Sequence, residues 1–210
     1  MQIPNNGAVW HNGIIRSLVI LSLIFSVSMM AQDKMAKEKM DKMAQDKMAE
    51  AGMAKSGPME EDFMKLYGFT SGKMVQLAEA IPAEKYDWRP ADGVRSVKES
   101  VLHAAAANYF MANFLGTPIP EGVDARNLEK SVESKDDAIA ALKASMEHVK
   151  GAIASLKPGD WNTEIEFFGM SGTKRFLVFI VGDHAAEHLG QLIAYARMNG
   201  VTPPWSKKAE

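Results

Sequence analysis

From about Phe63 onward, apolar residues recur at three- and four-residue steps, the period of a helix with one buried face. Phe63, Leu66, Tyr67, Thr70, Met74, Leu77 and Ile81 mark a first helix that stops before Pro82. A loop through Trp88-Arg89-Pro90 and Asp92-Gly93 follows. Ser96-Val97-Lys98-Glu99 then has the form of a capping box and predicts a second helix running to about Leu115, ahead of Gly116, Pro118 and Pro120. Ile139, Leu142, Met146, Val149, Ile153 and Leu156 predict a third helix, halted by Pro158-Gly159. Residues 164–172 are ambiguous and compatible with a short extended stretch. Phe176 to Val181 could pass for a buried strand, but the pattern continues helically to Met198, and length decides for a fourth helix beginning near Thr173. Four such helices predict an all-α domain over residues 58–206, an antiparallel or mixed four-helix bundle.

The first 57 residues follow other rules. Residues 17–30, SLVILSLIFSVSMM, form an apolar run preceded by Arg16 and followed by Ala31. A membrane-spanning helix wants about 20 apolar residues and a signal-peptide core about 7–15, so residues 1–31 read as a signal peptide. Its removal would leave no stable membrane span; the alternative is an uncleaved helix anchoring the protein to a membrane. Residues 32–57 repeat Asp-Lys-Met-Ala from Asp33, Asp41 and Asp46. Met35, Met40, Met43 and Met48 scatter around a helical wheel, so this segment is expected to be a partly helical or disordered linker. Thioether-rich segments can hold Cu(I), but charged residues separate most of these methionines, which favours a spacer.

Composition narrows the chemistry. Twenty-four Lys and Arg against 26 Asp and Glu leave no basic surplus for nucleic-acid phosphates, so no nucleic-acid partner is expected. The chain has no Cys, which excludes disulfides, a thiolate nucleophile and thiolate zinc sites. Any transition-metal chemistry in the domain must rest on imidazole.

Of the five His, three stand on helix stripes. On the fourth helix the inward line reads Leu177, Ile180, His184, His188, Gln191, Tyr195 and Met198. His184 and His188, four residues apart, project from one face one turn apart and can reach a single metal ion. On the second helix His103 sits among Leu102, Ala104, Ala107, Phe110 and Phe114. Each could be a hydrogen-bonded core residue. Together they would make a three-His site with open coordination positions, since burying three imidazoles without a metal is costly. His11 lies in the signal and His148 on a charged face beside Glu147 and Lys150; neither is assigned to the site. Glu187 lies roughly 80° from the mean direction of the pair on the helical wheel. It is a candidate proton acceptor at the pocket edge, a ligand-orienting acid, or a solvent-facing one. Gln191 and Tyr195 share the His face as candidate pocket residues, or are polar groups satisfied within the bundle. Trp88 and Trp205 read as packing residues. His184-Ala-Ala-Glu187-His188 also matches H-x-x-E-H, but that motif needs a carboxylate ligand downstream and only Glu210 follows, so the protease reading is rejected.

Two blocks carry a resemblance: Trp88-Arg89-Pro90 through Val94-Arg95-Ser96-Val97-Lys98-Glu99 to His103, and His184-Ala-Ala-Glu187-His188-Leu189-Gly190-Gln191 with Tyr195, Arg197, Gly200 and Pro203-Pro204-Trp205. In these the chain resembles the DinB/YfiT-like superfamily of metal-binding four-helix bundles, which includes thiol transferases and maleylpyruvate isomerase-type enzymes. The resemblance implies a metal on His103, His184 and His188, and a homodimer. Three His with one or two waters suit Zn²⁺ or Ni²⁺ best, with Mn²⁺ or Fe²⁺ also compatible. The expected function is that of an exported metal-dependent hydrolase or transferase acting on a small molecule of unknown identity. The alternative is a non-catalytic metal-binding or envelope stress protein. Export argues against carrying over transfer to cytosolic low-molecular-weight thiols, which are scarce in an oxidising envelope. Fractionation of the native host should find the chain outside the cytosol and lacking its first 31 residues or so; full-length protein in the cytosol would overturn the export expectation.

Overall fold

The computed structural model describes residues 34–35, 37–40, 42 and 57–207. The signal-peptide reading and most of the linker reading fall outside these residues. Residues 34–35, 37–40 and 42 are helical, with Met35 and Met40 exposed. Residues 57–207 belong to one compact unit, separate from the N-terminal stretch.

The long helices of this unit are α1 (Pro58–Ala80), α2 (Val97–Leu115), α4 (Lys135–Ala154) and α5 (Lys174–Met198), with a one-turn helix α3 at Leu128–Ser131. A hairpin, β1 (Glu164–Phe167) and β2 (Met170–Thr173), separates α4 from α5. Helix α1 starts with proline in its first turn, where the missing N–H costs nothing. Its last carbonyls are taken by Lys135, whose Nζ donates to the oxygens of Glu79 and Ile81 at 2.8 Å each. The capping box of α2 is complete: Glu99 N donates to Ser96 Oγ at 3.2 Å, and Ser96 N donates to Glu99 Oε2 at 2.7 Å. Ser134 and Thr173 cap α4 and α5 in the same way, without the reciprocal acid.

Helix α2 packs on α4 and α5, and α1 packs on the same two. Helices consecutive in sequence, α1 with α2 and α4 with α5, therefore stand across the bundle, while α2 and α5 become neighbours. Met74, Leu77, Ile81, Val101, Leu102, Leu142, Ile153, Leu177 and Leu192 are almost wholly buried between them. One polar link crosses this core. Tyr67 Oη donates to Asn108 Oδ1 at 3.2 Å, Asn108 Nδ2 donates to Ser145 Oγ at 3.1 Å, and Ser145 Oγ donates to the Leu142 carbonyl at 2.8 Å. Every member has a partner, the condition on which a buried polar group is tolerated.

Three expectations need correction. The domain is mostly helical but not all-α, because the ambiguous stretch closes as a hairpin pairing Glu164 with Thr173 and Phe167 with Met170. Its two-residue loop, Phe168-Gly169, has positive φ at both positions (49° and 77°), the combination a type I′ turn requires. The one-turn helix α3 lies in a stretch with no helical period. Leu66 and Met198, placed on inward stripes, are exposed, as are Phe69, Phe176 and Phe179. Helix α5 is apolar on more of its circumference than the bundle covers.

Asn108→Ala would leave the Tyr67 hydroxyl and the Ser145 hydroxyl without their buried partner. It should destabilise the domain by about 1–3 kcal/mol, a drop of several degrees in Tm. Thermal melts read this against Lys65→Ala, which removes only an exposed i,i+3 ion pair and should leave Tm near the wild-type value.

Candidate metal centre

His103 lies in the second turn of α2, and His184 and His188 lie midway along α5, so the α2–α5 contact brings the three rings together. Ring centroids are 4.3 Å apart for His184–His188, 4.9 Å for His103–His188 and 5.4 Å for His103–His184. Each offers one ring nitrogen to a group whose atoms all lie within 4.8 Å of one another, and this group could hold a metal ion. The Nε2 atoms of His184 and His188 are 3.1 Å apart. Two imidazole nitrogens on one tetrahedral zinc at about 2.0–2.1 Å would sit roughly 3.3 Å apart, so the pair needs almost no movement to share an ion.

The second nitrogens of two rings are already committed. His103 Nδ1 is 2.9 Å from Glu129 Oε1, and His188 Nδ1 is 2.8 Å from Gln191 Oε1. Both partners are acceptors, so both rings donate through Nδ1–H and keep Nε2 for the group they form with His184. The supports continue outward. Gln191 Nε2 donates to Tyr195 Oη at 3.0 Å, and Tyr195 Oη donates to the Arg95 carbonyl at 3.2 Å. The Arg95 Nε donates to Glu129 Oε2 at 2.9 Å. Arg95 thus anchors both supports, one through its backbone and one through its side chain. Trp88 packs edge-on against Tyr195, with ring centroids 5.4 Å apart.

Burial of the imidazoles has an electrostatic consequence. Desolvation first, then the proximity of His188, His103 and Arg95, lowers the His184 pKa from the ordinary 6.5 to about 4. His188 is lowered as well, again chiefly by desolvation, although the bond to Gln191 works in the other direction. Both rings are held in the neutral form, the form that ligates metals.

Of the residues singled out in sequence, His103, His184, His188, Gln191 and Tyr195 meet here. Gln191 and Tyr195 act by holding His188. Tyr195 is buried, and Gln191 borders a polar cleft with Arg89, Val94, Arg95, Glu99 and Glu129. Glu187 is not brought in: it is exposed and makes no hydrogen bond or ion pair with a described residue. The carboxylate that reaches a ring is Glu129, on α3. No periodicity or motif marked Glu129 in the sequence. Arg95 stood inside the quoted Trp88–His103 block, but nothing about the residue type assigned it a part.

The family model of the DinB superfamily matches residues 68–192. The chain belongs to the DinB superfamily. It is 28% identical over 130 residues to YjoA of Bacillus subtilis, an uncharacterised protein, covering 60% of this chain and 82% of that one. The fold is shared with a DinB-like protein of Bacillus cereus (TM-score 0.60, 16% identity, 69% of this chain and 95% of that one). It is shared too with YfiT of Bacillus subtilis, described as "a probable metal-dependent hydrolase with an unusual four-helix bundle topology" (TM-score 0.55, 14% identity, 71% and 93%). In this DinB member the consecutive pairs α1 with α2 and α4 with α5 stand diagonally across the bundle.

Two outcomes are expected. Glu129→Ala and Gln191→Ala should each weaken Zn²⁺ binding about 10–100-fold, while His184→Ala and His188→Ala should abolish stoichiometric binding, read by competition with a chromophoric chelator. Metal retained at one ion per chain in both His variants would remove the assignment. The second concerns pH. With the His184 pKa near 4 in the folded chain and near 6.5 in the unfolded one, the unfolded chain binds more protons between those values. This stability contribution of the metal-free protein is therefore complete above about pH 6.5 and drains away as pH falls toward 4. Denaturant melts in chelator at pH 7 and pH 5 should show the loss, and His184→Gln should reduce it.

Proposed function

We propose that the chain is an exported metal-dependent hydrolase or transferase acting on a small molecule, with a divalent ion held by His103, His184 and His188. The observation that carries this reading is the commitment of His103 Nδ1 to Glu129 and of His188 Nδ1 to Gln191 while one ring nitrogen from each of the three His lies within 4.8 Å of the others. A core that needed only satisfied histidines would not require three rings whose remaining nitrogens converge. The donor set suits Zn²⁺ or Ni²⁺ best, with Mn²⁺ or Fe²⁺ compatible. A bound ion of this kind polarises a carbonyl and lowers the pKa of a coordinated water. The chain's own part is to fix three imidazoles, two through hydrogen-bonded partners, and to present one side of the group to a cavity lined by His103 and His184.

One observation favours a second reading, a non-catalytic metal-binding protein. Glu129, the carboxylate beside the rings, is engaged by both His103 and Arg95, so it is not free to accept a proton from water. In the catalytic reading Glu129 is therefore a positioning residue for His103 rather than a general base. The homodimer implied by the resemblance belongs to the same proposal, supported by the apolar side chains exposed on the paired helices α1 and α5, Leu66, Phe69, Phe176 and Phe179. A monomeric mass by light scattering would remove it.

Metal-loaded protein screened against esters, amides and conjugates with transferable groups should show an activity that disappears on chelation and returns with Zn²⁺ or Ni²⁺. A silent screen with stoichiometric metal would favour the binding protein.

A further inference from the structure

Beside the three rings lies a cavity of about 460 Å³, within the range of small-molecule sites. Its walls are apolar: Ala106, Ala107, Phe110 and Met111 from α2, Ile180 from α5, and Phe168 from the hairpin tip. Paired alanines on the α2 side leave room that larger residues would fill. The polar groups are few, and their charges do not balance. Arg95 and Glu129 neutralise each other across 2.9 Å. Arg126, also on the wall, is exposed and makes no ion pair or side-chain hydrogen bond with a described residue; the Asp124 carboxylate two residues before it attracts it without closing an ion pair. Its loop is held by Asn127, which donates from its backbone and side chain to Asp124 at 3.3 and 2.7 Å. A divalent ion on the histidines would add to the positive excess.

Phe168 is the one non-glycine residue among those described with a positive φ, 49°. Type I′ loops are dominated by Asn, Asp and Gly there, and an aromatic residue gains nothing locally from that conformation. Its ring, half exposed, stands edge-on to Phe114 at 5.1 Å and forms part of the cavity wall. The strain makes sense if the ring is wanted over the cavity.

We infer that the cavity binds a small organic acid with an aromatic or branched apolar body, its carboxylate on Arg126 and its body between Phe168, Phe110 and Ile180. This names the substrate class for the metal-site reading above and rests on that reading only for which end of the molecule reacts. Arg126 and Phe168 are then specificity residues that recognise the acid and the apolar body respectively.

Titration calorimetry tests this on the full chain, both Zn²⁺-loaded and chelator-treated, with metal content measured on the same samples. The probes are phenylacetate, 3-phenylpropanoate and 4-phenylbutanoate, 3-phenylpropanamide as the neutral counterpart, and propanoate as the acid without the ring. At least one aryl acid should bind tenfold or more tightly than both the amide and propanoate. Arg126→Gln should bring that acid down to the level of the amide with metal content unchanged. Phe168→Gly, which relieves the backbone, should weaken acid and amide together several-fold and leave propanoate unaffected. Equal binding of acid and amide, failure of every aryl acid to bind, or an acid preference that survives Arg126→Gln would each overturn the proposal. The last outcome would place the carboxylate on the metal. Failure of the metal reading shows separately, as absence of stoichiometric metal, and the Arg126 comparison in chelator-treated protein still gives its answer.

Discussion

Three imidazoles crowded between two helices set the terms for this domain. Their ring centroids stand 4.3–5.4 Å apart, and His188 is 7% exposed. A protonated ring there would face its neighbours' charge without water to screen it, and the His184 pKa of about 4 reflects that cost. Each ring still has to dispose of two nitrogens. Between α2 and α5, the outward nitrogens of two rings find acceptors in Glu129 and Gln191, and one nitrogen of each ring faces a common space.

Arg95 ties that solution to the loop before α2. Its carbonyl ends the chain running from His188 through Gln191 and Tyr195, and its side chain fixes Glu129 on His103. Two ligands on different helices are thereby oriented from a single residue, itself placed just before the capping serine of α2. Rigid support of this kind makes a metal site selective in geometry. The same arrangement spends the Glu129 carboxylate on positioning His103 and pairing with Arg95, and leaves Arg126 on the cavity wall outside that pair.

The helices were legible in the sequence because their apolar periods are long and their ends are punctuated. Ser96 with Glu99 announced the start of α2, and Pro158-Gly159 the end of α4. The reading failed where apolar character and burial part company. Leu66 and Met198 stand on the inward stripes but are exposed, since periodicity locates a face without saying how wide a strip the neighbouring helices cover. It also failed in short elements. The hairpin has only four residues in each strand, and its turn uses Phe168 where Asn or Gly would have signalled it.

The chain's own order of residues determined the four long helices, the capping box of α2, the exclusion of thiolate chemistry and the i,i+4 placement of His184 and His188, because each of these depends on spacing within one element or on residue type alone. Tertiary structure decided which helices are neighbours. By setting α2 beside α5, it made His103 the third member of the group and delivered Glu129 from a one-turn helix 26 residues further along. Glu187, four positions from Gln191 and next to His188, is exposed and holds none of the three rings, while Arg126, far from both in sequence, borders the cavity. A side chain's direction on a helix follows from local geometry, but what it meets there depends on packing between segments distant in sequence, and no local pattern carries that information.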